Sequence, residues 1–117
     1  MSHTIAQILA GMKEVIENNE TRSAGWWLDE AMRLAVLRQD LQSEMVKAEI
    51  AYRNEVVELS VGNSYNKAEN MVKGRPRREG EKMTTYEWFR YLQTRDEVVE
   101  EILRIAKKRS SINPALL

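Results

Sequence analysis

Between residues 26 and 60 the chain carries one unbroken helical repeat. Leu34, Leu37, Leu41, Met45, Ala48, Tyr52, Val56 and Leu59 recur at steps of three and four. That spacing lines one stripe of a helix, as a coiled-coil-like seam requires, and does not fit the two-residue repeat of a half-buried strand. Neither proline, Pro76 or Pro114, interrupts it. A helix of this length is about 50 Å long at a rise of 1.5 Å per residue. Most of its stability has to come from elements packed along it.

Two further segments supply those elements. Over residues 3–18, Ile5, Ile8, Leu9, Met12, Val15 and Ile16 repeat with helical period, with Ser2 or Thr4 as cap and Asn18 and Asn19 at the end. Residues 19–25 read as a turn, with the long helix starting near Gly25. Over 85–110 the seam is Trp88, Leu92, Val99, Ile102 and Ala106, flanked by Phe89, Val98 and Ile105. Thr84 and Glu87 have capping-box spacing, and Lys107, Lys108 and Arg109 suit the dipole at the other end. Between the long helix and this last one lies 61–83. There Gly62 and Asn63 end a helix, Asn66 with Glu69 opens a short one closed by Gly74, and Arg75 to Lys82 form a loop.

The expectation is a single all-α domain over residues 1–117: a long antiparallel helical hairpin with an N-terminal helix folded onto one end as a three-helix bundle. The first helix is too short to reach the other end, leaving two helices and the 61–83 segment there. Apolar flanks around Met45, Tyr52, Val56 and Trp88 are then expected to be exposed and to form an interface. A two-fold homodimer follows as the leading arrangement, with 65–73 covering the gap within one chain as the alternative. Adjacent Trp26 and Trp27 point in different directions, one toward the first helix and the other toward solvent or a partner.

At 117 residues there is room for one modest core. Eighteen basic residues balance eighteen acidic ones, so any polyanion binding has to rest on a local patch. With no cysteine there is no disulfide, thiolate metal site or cysteine nucleophile. His3 is the only histidine, the five glycines form no phosphate-cradling loop, and no apolar run is long enough to span a bilayer. The apolar residues of the first helix are periodic and no basic stretch precedes them, unlike a signal peptide. Glu97 and Glu101 share a helix face that could hold a divalent cation, but a solvated face is the simpler reading. The expectation is a cytoplasmic, non-enzymatic protein without cofactor or metal, acting on an as yet unknown protein partner.

Charge is polarised despite the neutral total. Residues 26–60 hold four basic and seven acidic residues, whereas 61–83 holds six basic (Lys67, Lys73, Arg75, Arg77, Arg78 and Lys82) against three acidic. The hexapeptide Lys73-Gly74-Arg75-Pro76-Arg77-Arg78 resembles the AT-hook family, whose central pattern is Arg-Gly-Arg-Pro. That resemblance implies Arg75 in an A·T-rich minor groove with Arg77 and Arg78 on phosphates, aided here by Lys67 and Lys82. Tyr86, Trp88, Phe89 and Tyr91 follow the loop; they fit a base-stacking platform or, more simply, a core face of Trp88, Phe89 and Leu92.

The layout from Leu34 to Ile112 also resembles small helical-hairpin proteins of tailed bacteriophages. The features that carry it are Gly62, the run Tyr65-Asn66-Lys67-Ala68-Glu69, and Tyr86 with Trp88. This resemblance implies an accessory protein of a virus or mobile element, acting beside host or recombination factors, and it assigns no active residues.

Overall fold

The computed structural model describes residues 4–18 and 21–110. The elements are α1 (Ile5–Glu17), α2 (Ala24–Leu59), α3 (Tyr65–Gly74) and α4 (Thr85–Ser110), with no strand among the described residues. His3, Asn19 and Pro114 fall outside the described residues.

The helix ends follow from local chemistry. Thr4 caps α1 in a full capping box: its Oγ1 accepts from the Gln7 amide at 3.2 Å, and Gln7 Oε1 accepts from the Thr4 amide at 2.9 Å. Ser23 Oγ accepts from the Trp26 amide at 3.1 Å and opens α2. At its other end, Gly62 adopts φ +89°, a left-handed conformation that a side chain disfavours, and Asn63 Nδ2 donates to the Leu59 carbonyl at 2.9 Å. Ser64, two residues before the expected Asn66, caps α3 by accepting from the Lys67 amide. The capping box expected for the last helix is present: Thr84 Oγ1 accepts from the Glu87 amide at 3.1 Å, and Glu87 Oε1 accepts from the Thr84 amide at 3.0 Å.

The chain divides into two compact units. Unit 1 combines α1, α2 up to Leu41, and α4 from Arg95; unit 2 runs from Gln42 to Thr94. In unit 1, Ile8, Leu9, Met12 and Val15 of α1 are buried together with Trp27, Ala31, Leu34 and Leu41 of α2 and Val99, Ile102, Leu103 and Ala106 of α4. The Arg109 guanidinium lies 5.0 Å from the Trp27 ring centre, and Arg38 pairs with Asp96. Positions that rise along α2 thus meet positions that fall along α4, the antiparallel hairpin expected from sequence. Unit 2 repeats the sense: Tyr52 stacks on Phe89 at 5.9 Å, and Glu55 accepts from Thr85.

The core of unit 2 overturns one expectation. Tyr52 and Val56 are 1% and 0% exposed rather than part of an open stripe. Buried Ala68 and Val72 of α3, with Phe89 of α4, complete the core around them, so 65–73 fills the place assigned to a partner. Met45 is half-buried. Phe89 and Leu92 occupy the core face of α4, whereas Trp88 is 41% exposed.

Candidate interaction surfaces and the basic segment

The basic segment is held down by carboxylates. Arg75 directs its whole guanidinium fork inward. Nε and Nη2 donate to Glu55 at 3.2 and 2.9 Å, Nη1 and Nη2 donate to Glu81 at 2.8 and 3.0 Å, and Nη1 also reaches the Pro76 carbonyl at 3.0 Å. All five guanidinium N–H groups are thereby used, and the side chain is largely buried. Burial by itself would raise the Glu55 carboxyl, but the hydrogen bonds from Arg75 and Thr85 outweigh it and hold the group below its ordinary range. Glu81 is held at about 2, by Arg75 first and then by the Arg78 amide. Arg75 is correspondingly raised.

The remaining cations are less uniform. Arg77 forms a two-point pair with Glu87 at 2.9 and 2.7 Å. That contact, together with the Thr84 amide, keeps Glu87 at about 2. Lys73 pairs with Glu69 at 3.5 Å and lies 5.6 Å from the Tyr86 ring centre. Arg78 reaches Glu55 only at 3.5 Å and is mostly exposed. Lys67 and Lys82 are exposed and form no ion pair among the described residues. The hexapeptide is therefore not a free extended strand. Arg75, the residue matching the groove-entering arginine, ties its own loop to Glu55 of α2, which also accepts from Thr85 at the start of α4, while Arg78, Lys67 and Lys82 face solvent.

Arg53 adds a second tie, donating to Glu69 at 2.6 Å and to the Tyr65 hydroxyl at 2.8 Å, which fixes α3 on α2. Beneath it the Tyr52 hydroxyl is buried near the Glu69 carboxylate, without a well-formed hydrogen bond among the described residues. Burial, reinforced by the Glu69 carboxylate, pushes this phenol up to about 12.

The apolar surfaces lie elsewhere. In unit 2, Val46, Ile50 and Val57 are more than half exposed and sit four and seven residues apart, on a different face of α2 from Tyr52 and Val56. Unit 1 has a matching patch of Leu28, Met32 and Val36. At the start of α4, Lys82, Met83, Thr84, Thr85 and Trp88 line an open pocket of about 470 Å³. The Trp88 ring stacks on Tyr91 with centroids 5.5 Å apart and planes 14° apart. The tryptophans of unit 1 differ in burial. Trp27 is buried and Trp26 half-buried, edge-on to one another at 5.0 Å, with Arg22 over the Trp26 ring.

Comparison of the chain with protein-family models, curated proteins and solved structures gives no match. Among the described residues no group of three or more acidic or histidine side chains converges to hold a metal ion. Glu101, half of the considered cation pair, is hydrogen-bonded to Arg104 instead. No helix is long and apolar enough to cross a membrane. The sequence reading missed Val46, Ile50 and Val57, although their spacing of four and seven was available as a second periodic face on the long helix.

Proposed function

We propose that this chain is a non-enzymatic, self-associating helical module that acts by binding protein through exposed helix faces. The observation that carries this reading is the second apolar face of α2, which no part of the same chain covers among the described residues: Leu28, Met32 and Val36 in unit 1, and Val46, Ile50 and Val57 in unit 2. Isolated exposed apolar residues are ordinary, but periodic ones on a helix already packed on its other side mark an interface. Trp88 and Tyr91 add exposed aromatic surface of the kind enriched at binding hot spots. The likeness of the layout to phage helical hairpins extends the proposal to an accessory role on host or recombination factors in the cytoplasm.

The second reading, nucleic-acid binding through residues 73–78, draws its support from exposed Arg78, Lys67 and Lys82. It ranks lower because Arg75 and Arg77 would first have to release Glu55, Glu81 and Glu87.

One experiment separates the two. Light-scattering mass after size exclusion is measured in low salt over a concentration series, with and without duplex and single-stranded oligonucleotides. The expected result is a mass near twice the 13.6 kDa chain, unchanged by either oligonucleotide. A monomer at every concentration contradicts self-association. A nucleic-acid complex that dissolves as salt rises would instead favour the basic segment.

A further inference from the structure

Two exposed apolar surfaces of unit 2 differ in the charge left beside them. On the outer face of α2, around Val46, Ile50 and Val57, the neighbouring cations are already engaged: Lys47 with Glu44, and Arg53 with Glu69. Glu49 and Glu58 flank the same face, are exposed, and form no ion pair among the described residues. At the Trp88 pocket the situation is reversed. Glu81 and Glu87 are committed to Arg75 and Arg77, which leaves Lys82 on the pocket wall with no ion pair. Glu79, in the same loop, does not line the pocket. The first surface is thus convex, apolar and edged with carboxylates; the second is concave, apolar and edged with an ammonium.

We propose that the outer face of α2, centred on Ile50, docks into the Trp88 pocket of a second copy of this chain, with Lys82 meeting Glu49 or Glu58. This rests on the self-association proposed above and specifies its contact. A two-fold pair makes the contact twice, since each copy offers one face and one pocket. The arrangement suits both surfaces. An Ile50 side chain entering an open pocket floored by Met83 and Trp88 removes apolar area from both copies. The opposite charges fix which surface meets which. Face-to-face pairing of two α2 helices would set the unpaired carboxylates Glu49 and Glu58 of one copy against those of the other and leave Trp88 exposed.

The test uses the full chain and sedimentation velocity. Ile50→Lys and Trp88→Ala alter exposed side chains, so both should keep the helical circular dichroism of the parent. Each alone should weaken self-association at least tenfold, as expected for a central anchor. Mixed together, they should recover a complex of two chains, because the intact pocket of Ile50→Lys accepts the intact face of Trp88→Ala. As an independent check, Lys82→Glu should weaken association, and combining it with Glu49→Lys and Glu58→Lys should restore it. A Trp88→Ala chain that associates like the parent, or a mixture that stays monomeric, overturns this contact while leaving the interaction reading in place. A parent chain that is monomeric throughout removes both.

Discussion

Unit 1 closes around apolar side chains from three helices, and most of its ion pairs run along single helices: Lys13–Glu17, Arg33–Glu30 and Arg104–Glu101. Arg38, paired with Asp96 and Glu100, joins two of them. Unit 2 has a smaller apolar core; Lys47–Glu44 and Lys73–Glu69 run along single helices there too, but its other ion pairs tie different elements together: Arg53 of α2 to Glu69 of α3, Arg75 to Glu55 of α2, and Arg77 to Glu87 of α4. Pairs within one exposed helix contribute little, whereas a multi-point arginine pair with little solvent access fixes geometry as well as charge. The contrast teaches that the net charge of a segment is not its available charge. Residues 61–83 are basic by count, yet Arg75 is buried as a clasp and Arg77 is paired with Glu87 at the surface.

The largest effect that should expose this difference comes from cavity formation in unit 1. Leu34, fully buried, is expected to cost about 3 kcal/mol when replaced by alanine, read from denaturant midpoints. Next is the clasp of unit 2. Arg75→Ala strands two carboxylates and should cost about 2 kcal/mol in the same assay. Arg75→Lys should recover less than half of that, because an ammonium cannot match two carboxylates with one planar fork. A neutral Arg75→Ala would mean the network is decoration and the comparison fails. Thr84→Ala, which removes the cap of α4, should cost about 1 kcal/mol by thermal melting. Arg38→Ala should cost a similar amount, about 1 kcal/mol, because it breaks a two-point, part-buried pair with Asp96 but strands one carboxylate where Arg75→Ala strands two.

Much of this architecture is written locally in the chain. The caps at Thr4 and Thr84 need only residues three apart, and the left-handed turn at Gly62 needs only glycine. The seam from Leu34 to Val56 declares itself by its period, and the hairpin follows from that seam and the one on α4. The cover over Tyr52 and Val56 was not legible to the same degree. In α3 the buried contribution is just Ala68 and Val72, too short a pattern to show that it closes a core. Nor does anything near Arg75 in sequence identify Glu55, twenty residues away, as its partner. That pairing depends on where α3 returns the chain. The six-residue likeness to a groove-binding peptide described the segment's composition, while its destination was set by tertiary position.

The most direct test of the clasped account is a methyl NMR titration from pH 6 to pH 2, with Val56 and Val72 reporting on unit 2 and Leu34 and Val99 on unit 1. Glu81 and Glu87 are held at about 2 in the folded chain, below the ordinary carboxyl value near 4.3. A carboxyl lowered on folding stabilises the fold above its unfolded value, and that contribution is lost as pH falls toward the folded one. The expected result is that Val56 and Val72 lose their native shifts between about pH 4 and pH 2 while Leu34 and Val99 keep theirs longer. Loss of the unit 1 signals first, or native shifts in unit 2 down to pH 2, would contradict the claim that carboxylate clasps hold unit 2 together.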